Sequence, residues 1–477
     1  MYSSILESGE QNPRWVNSTS LKPLFIITPK FAWEIQATVT CSKEHGLRVR
    51  VRSGGHDYEG LSYRCDVDFV VIDLINFRSI NVDMEKETAW IESGATLGEM
   101  YYNIAKESRV HGYPAGLCQS VGVGGDFSGG GIGTMMRKYG LAADNIIDAE
   151  LVDVNGRILD REEMGEDLFW AIRGGGASSF GVITAWKVKL VQVPPRVTAF
   201  TIHKKMDQEG KELVFRWQSI ADRFPQELFL RVIVQNVVAH GYSVEAGPVE
   251  ALFNSLFLGP KEELLAVMKE SFPELGLQEQ DCEEMSWIES VLYFYGGYKR
   301  GESLDVLLNR TDPFKGYFKA KSDFVQKPIP ITALEGMTQR LSKKALVYVN
   351  IDPLGGRLDE IPETELPFPH RKGNLFNIQY FVKWKENSDM EANDRIDWMK
   401  ELYDFMEPYV CQSPRSAYLN YRDLDIGNNL PGKSSYLQAK IWGEKYFKGN
   451  FERLATIKSR VDAENFFQNV QSIPPIS

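Results

Sequence analysis

The chain reads as a mixed α+β protein of two large units, and three observations carry that reading. Its 477 residues exceed what one simple core usually holds. The first 190 or so residues set short apolar strands and helices among glycine-dense loops. After Val191-Gln192-Val193-Pro194-Pro195 the texture changes to longer strands and amphipathic helices, which makes the paired proline the best boundary candidate. Near the end the chain returns to tyrosine-rich strand and loop, Ala417 to Asp425, followed by a helical Phe451 to Arg460.

The elements follow in order. Thr28-Pro29 fits a helix start, with apolar positions at Phe31, Ile35 and Val39 and a stop at Gly46. Leu47, Val49 and Val51 alternate as a strand, so Ser53-Gly54-Gly55-His56 falls just past a strand end, where α/β folds usually set ligand loops. Phe69 to Leu74 and Ala89 to Glu92 read as strands, and Thr96 to Ser108 as a helix opened by a capping box from Thr96 to Glu99. Asn155-Gly156, between Leu151-Val152 and Ile158-Leu159, is a hairpin signal. Asp167 to Ile172 reads as a helix, followed by the glycine turn Arg173-Gly174-Gly175-Gly176. Past the boundary, strands such as Leu230 to Val238 and Leu346 to Val349 mix with helices such as Gln208 to Asp222 and Glu391 to Phe405. That pattern predicts a sheet with helices on one side.

Composition excludes several classes. With 54 basic and 65 acidic residues the net charge is −11, which argues against a nucleic-acid partner, since phosphate contacts need a basic face. No apolar run approaches the roughly 18 residues of a membrane span, and Met1-Tyr2-Ser3-Ser4 does not open a secretory signal. Cys41, Cys65, Cys118, Cys282 and Cys411 are an odd set without CxxC spacing, so no metal site is expected. Asn17-Ser18-Thr19 and Asn309-Arg310-Thr311 are glycosylation sequons.

The chemistry lies in two glycine loops. Gly122, Gly124, Gly125, Gly129, Gly130, Gly131 and Gly133 are too many for a turn, and the interleaved Val121, Val123 and Phe127 want burial, unlike a flexible linker. Exposed backbone N–H groups there and at Gly54-Gly55 could hold an anion such as a pyrophosphate. The spacing is a poor fit to a Rossmann fingerprint. Each loop carries one nucleophilic side chain, His56 or Cys118. A lone His or Cys is more often structural.

The phrases Arg52-Ser53-Gly54-Gly55-His56-Asp57-Tyr58-Glu59-Gly60, Pro114-Ala115-Gly116-Leu117-Cys118 and Leu141-Ala142-Ala143-Asp144-Asn145-Ile146-Ile147-Asp148, with the tail from Pro414-Arg415 to Pro474-Pro475, reverse those odds. Over essentially its full length the chain resembles the berberine bridge enzyme-like family of vanillyl-alcohol-oxidase type flavoproteins, most closely plant oxidases of the cannabinoid-synthase kind. The resemblance implies an FAD-binding domain in two parts, 1–195 and 416–477, around a substrate domain, 196–415, whose antiparallel sheet is covered by helices. It implies FAD bonded through its 8α carbon to His56 and through C6 to Cys118, with Arg52, Ser53, Gly54, Gly55, Val121, Gly124, Gly125, Asp126, Ser128, Val182, Tyr418 and Asn420 around the cofactor. A small-molecule substrate would give hydride to flavin N5 and the electrons would pass to dioxygen, for which a small Val121 leaves room. Tyr421 matches the family's catalytic tyrosine, although a phenol of pKa near 10 is a poor base unless a positive charge or hydrogen bond lowers it.

Asn377 and Gln379, two apart on a strand, share one face, and by resemblance that face lines the substrate cleft. Relatives with an acidic base place it there. Asp352 aligns with a pocket position, where it could bind a phenol hydroxyl or an amine, or cap a turn before Pro353. The chain departs from the family at Asp126, where most relatives have histidine, and at Ile132, where many have tyrosine. Both changes predict slower or altered redox chemistry and keep open a non-redox cyclase of the Diels–Alder type. A carbohydrate oxidase or a non-catalytic binding protein is also open. The family is normally secreted or vacuolar, so a signal peptide and a cysteine partner for Cys41 are expected ahead of Met1. A monomer is expected.

Overall fold

The computed structural model describes residues 2–16, 20–236, 247–295, 301–312, 315–385, 388–429 and 435–476. Its first sheet is a parallel trio in the order β1-β3-β2, made of β1 (Phe25–Ile27), β2 (Arg48–Arg52) and β3 (Phe69–Asp73). A helix, Ala32–Glu44, leads into β2 and ends as Gly46 takes φ +67°. It starts later than Pro29 because Lys30 and Phe31 stay outside it, their N–H groups donating to the Glu34 carboxylate at 2.6 and 2.9 Å. That carboxylate sits in the first turn, where the helix dipole favours it.

A second sheet is antiparallel, with β4 (Ile80–Asp83), β5 (Thr88–Glu92), β7 (Ile146–Val152), β8 (Ile158–Leu159) and β9 (Val182–Lys189) in the order β4-β5-β9-β7-β8. β6 (His111–Gly112) pairs with β10 (Val191–Gln192). The capping box opens the helix Leu97–Glu107, with Thr96 Oγ1 accepting from Glu99 N and the Glu99 carboxylate accepting from Thr96 N. The hairpin between β7 and β8 turns at Gly156, φ +72°. The span Arg161–Ile172 is two helical segments joined across a kink at Gly165, φ +65°, and the second of them runs to Ile172 ahead of the Gly174–Gly176 turn, as expected.

The third sheet has seven antiparallel strands. These are β11 (Val197–Lys205), β12 (Leu228–Asn236), β13 (Val249–Phe257), β14 (Glu283–Met285), β15 (Tyr317–Val325), β16 (Val347–Pro353) and β17 (Phe376–Trp384), in the order β14-β11-β13-β12-β16-β17-β15. Val237 and Val238, expected to extend β12, lie outside the described residues.

Strand alternation divides this sheet into two faces. Leu228, Leu230, Val232 and Val234 on β12, Val347, Val349 and Ile351 on β16, and Phe376, Ile378, Tyr380 and Val382 on β17 share one core with apolar residues of helices Gln208–Gln218, Lys261–Ser271, Ile331–Leu341 and Asp389–Met406. Trp217 anchors it, its indole donating to Leu230 O at 2.8 Å, and removing so large a buried side chain typically costs about 3–5 kcal/mol. The alternate residues face the other way, into a cavity.

The segment Ala417 to Asp425 is not a strand. It forms two 3-10 turns, Leu419–Tyr421 and Leu424–Ile426, because its polar groups are satisfied by side chains rather than by a ladder. Asp423 accepts from Asp425 N at 3.0 Å and from two buried lysines.

Candidate active site

A cavity of about 590 Å³ lies between the glycine loops and the polar face of the large sheet. The loop after β2 supplies Ser53, Gly54, Gly55 and His56, and a second loop running into the helix Val123–Gly129 supplies Cys118, Val121, Gly122, Gly124, Gly125, Asp126 and Ser128. The two loops pack backbone to backbone. A Cβ on Gly54 would collide with Gly122 N, and one on Gly122 with Ser53 Oγ, so neither position tolerates a side chain. A Cβ on Gly125 would meet nothing within 4 Å, so this residue leaves an open surface. His56 Nε2 is buried without a hydrogen-bond partner, and burial lowers the pKa to about 4, which leaves a neutral imidazole with a free nitrogen. Cys118 is exposed on the cavity side yet encircled by protein, and burial followed by the charge of Asp312 pushes its thiol up to about 11. Such a cradle, with an unpartnered imidazole nitrogen and a thiol on facing loops, fits a flat group carrying an anionic tail.

Opposite stands the sheet wall. Gln379 donates from Nε2 to the Tyr58 hydroxyl at 2.6 Å and accepts from Asn350 Nδ2 at 2.8 Å. Tyr58 stacks on Tyr421, ring centroids 5.7 Å apart and planes within 7°. Tyr421 meets Tyr418 edge-on at 5.0 Å. Burial first, then the charge of Asp352, raises the Tyr421 phenol well above its ordinary range, so it rests protonated. Asp352 is itself raised by burial, partly offset by Arg231, and its Oδ1 has no hydrogen-bond partner. It lines the cavity as part of β16, so the turn-capping alternative has no hydrogen bond to support it.

Asp126 also faces the cavity. Its Oδ2 accepts from Gly116 N at 3.2 Å, tying the loop of Cys118 to the glycine helix, and burial raises its pKa to about 7. Asn420 donates to Asp126 O at 2.9 Å and to the Tyr418 hydroxyl at 3.0 Å; the missing Cβ of Gly129 makes room for it. Ile132 lies on the cavity wall in an apolar cluster with Tyr418 and Tyr421.

Three expected residues lie off the cavity. Arg52 is the last residue of β2 and points away from the Ser53 side, where its guanidinium pairs with Asp73 at 2.6 Å and donates to Ile5 O and Leu6 O. Val182 is fully buried in a core with Ile35, Val39 and Phe467, while its neighbours Gly181 and Ile183 reach the cavity. Asn377 shares a face with Gln379 but lies one row deeper, its Nδ2 donating to Asp323 O at 3.0 Å. The residue reasoning also missed Tyr58 and Arg231. Tyr58 stands two places after His56 in a phrase already singled out, whereas Arg231 carries no local signal.

A buried ion cluster fixes the His56 loop and the Tyr421 segment relative to the sheet. Lys319 on β15 meets Glu59 and Asp423, each at 2.6 Å, and Lys321 meets Asp423 at 2.6 Å and Asp425 at 2.8 Å. Burial alone would lower Lys319, but Asp423 and Glu59 outweigh it and hold the amine above its ordinary value. Arg422 adds a contact to Asp57 at 2.9 Å. Glu59 lies three residues past His56 and Asp423 two past Tyr421, so one cluster sets both.

Comparison with known proteins fits this geometry. Residues 23–161 match the FAD binding domain family and residues 417–474 the berberine and berberine-like family. The chain is 52% identical to berberine bridge enzyme-like 22 of Arabidopsis thaliana, over 100% of this chain and 89% of the relative. The chain belongs to the berberine bridge enzyme-like family. Tetrahydroberberine oxidase of Berberis wilsoniae is 50% identical over 100% of this chain and 90% of its own length. The solved structure of BBE-like #28 from Arabidopsis thaliana superposes with a TM-score of 0.96 at 50% identity, covering 100% of this chain and 97% of that one. This berberine bridge enzyme-like chain is therefore an α+β FAD-linked oxidoreductase, and the glycine cradle fits FAD.

Among the described residues no helix is long and apolar enough to cross a membrane, and no cluster of His, Cys, Asp and Glu is arranged to hold a metal ion. All five cysteines are free. Asn309 of the second sequon is exposed, and Asn17-Ser18-Thr19 lies outside the described residues.

Proposed function

We propose that this chain oxidises a small plant secondary metabolite, a phenolic compound or an alkaloid, in the cavity between the glycine loops and the polar sheet face. The observation that carries the reading is the Asn350–Gln379–Tyr58 chain of hydrogen bonds ending beside Tyr421, in the cavity that His56 and Cys118 also line. When bound, FAD accepts the substrate's hydride and returns the electrons to dioxygen.

The protein's own groups supply position and proton transfer. Gln379 occupies one lone pair of the Tyr58 hydroxyl, which leaves its O–H to donate to a substrate oxygen. Tyr421, held flat against Tyr58, takes the substrate's proton; because burial keeps it protonated at rest, the step gains as pH rises. His56 and Cys118 attach the cofactor from two sides, a role supported by the free Nε2 and the cavity-facing thiol. Residues 1–195 with 416–477 hold the cofactor and 196–415 the substrate. The two family matches, at 23–161 and 417–474, and the position of the seven-stranded sheet support that division. A secreted or vacuolar glycoprotein agrees with the exposed Asn309 sequon.

The test is anaerobic mixing with candidate phenols and alkaloids. Bleaching of the flavin, reversed by air, is expected. Product formed while the flavin stays yellow would replace the oxidase by a non-redox cyclase, a reading that Asp126 and Ile132 on the cavity wall keep in play.

A further inference from the structure

We infer that Arg231 anchors a carboxylate on the substrate, so that the metabolite oxidised is an aromatic or alkaloid acid; the inference rests on the oxidase reading of the same cavity. Arg231 lies on the cavity face of β12 and is only 9% exposed. Its Nε donates to Asn254 Oδ1 at 2.8 Å, and Asn254 is in turn fixed by donating to Thr201 Oγ1 at 2.9 Å. One face of the guanidinium lies 5.5 Å from the centre of the Phe294 ring. These contacts set the orientation of the guanidinium and leave its two terminal nitrogens without a hydrogen-bond partner among the described residues.

The neighbouring strand brings a carboxylate near, whose burial the Arg231 charge partly offsets, but makes no direct contact. The pairing of Val232 with Ile351 puts Asp352 across from Arg231, yet the two form no ion pair. Lys383 and Asp312 also line the cavity. A buried guanidinium with two parallel donors free matches the two oxygens of a carboxylate. The site also has a defined reach. β12 and β17 are separated by one strand, β16, and Gln379 lies one row from Arg231, so about 10–12 Å of sheet separates the anchor from the Gln379–Tyr58 pair. That span suits an aromatic ring joined to a carboxylate by a short chain. Asp352, between them, faces the middle of such a molecule and can accept from a hydroxyl or amine there.

Holoenzyme titrated with 4-hydroxycinnamate and with its methyl ester, followed by the change in flavin absorbance, tests the anchor. The acid is expected to bind at least about tenfold tighter than the ester, as for a charge-assisted hydrogen-bonded pair. Arg231→Gln should erase the preference while the ester binds as before, which also shows the variant to be folded. Arg231→Lys should retain part of it, and Asn254→Ala, which keeps the charge but frees its orientation, should reduce it. Equal affinity for the two, binding of neither, or a preference surviving Arg231→Gln overturns the inference. Anaerobic bleaching by 4-hydroxycinnamyl alcohol tests the oxidase reading separately. Bleaching without acid preference removes the anchor alone, and acid preference without bleaching removes the oxidase alone.

Discussion

The two walls of the cavity are built by opposite means. The glycine wall is backbone: Gly54 and Gly122 touch main chain to main chain, Gly125 leaves open surface, and His56 and Cys118 stand on it as the proposed tethers. The sheet wall is side chain throughout, with alternate residues of β12 and β16, and of β17 from Gln379 onward, turned to the cavity. A wall that needs the absence of Cβ is intolerant of change, whereas a wall of alternating side chains can exchange one for another without disturbing the strand. The first suits a cofactor that stays the same, the second a substrate that differs between relatives.

The sharpest break of that contrast is Gly122→Val. Its side chain would enter Ser53 and the Gly54 backbone, so purified protein should carry almost no flavin by its visible absorbance ratio. On the sheet wall, Phe381 lies on the cavity side of β17, and Phe381→Leu should leave flavin content intact and move only KM. Normal flavin loading of Gly122→Val would refute the backbone wall.

Next in size is Tyr421→Phe, expected to slow flavin reduction by about 10²–10⁴-fold with flavin retained, the usual range for losing a general base. In the unsubstituted protein the rate should climb toward alkaline pH, since the raised phenol must lose its proton to act. A flat profile in stopped-flow measurements would remove Tyr421 from that role.

Lys319→Met probes what joins the walls. It strands Glu59 and Asp423 as buried carboxylates without their main partner, a loss of about 3–5 kcal/mol by denaturant titration. A loss below about 1 kcal/mol would show that the cluster is carried by Lys321 and by Arg14, which meets Glu59 at 3.0 Å.

The tethers give a simpler readout. Acid-precipitated protein should stay yellow, each of His56→Ala and Cys118→Ala should stay yellow through the remaining bond, and only the double variant should yield a colourless pellet. A colourless pellet from the unsubstituted protein would reject covalent attachment.

The smallest effect belongs to Asp126. Its folded pKa, about 7, stands above that of an unfolded aspartate, so its contribution to apoprotein stability is full at low pH and is lost as pH rises toward and through 7. Asp126→Asn should flatten that decline in thermal melts between pH 4 and 8. An unchanged slope would assign the decline to another group.

The backbone wall was the legible one. Clustered glycines, a capping box at Thr96 and the Asn155-Gly156 turn are local signals, and each appears where the spacing put it. Tyr421, Gln379 and Asp352 reach the cavity as the resemblance implied. Arg231 was illegible because its meaning depends on register: the same residue one place along β12 would face the helix-covered core. Arg52 and Val182 misled for the same reason, since each adjoins residues that do line the cavity. Ala417 to Asp425 was misread because its aromatic residues suggest a strand, while its hydrogen bonds go to lysines about a hundred residues earlier.

Those lysines have a consequence for how the holoprotein is made. The Lys319 cluster joins Glu59, near the first glycine loop, to Asp423, more than 360 residues later. Until the ribosome has released residue 423, the histidine loop lacks this brace and the cavity lacks Tyr421. Flavin loading is therefore an event of the finished chain, and nascent polypeptides stalled before that point should emerge colourless.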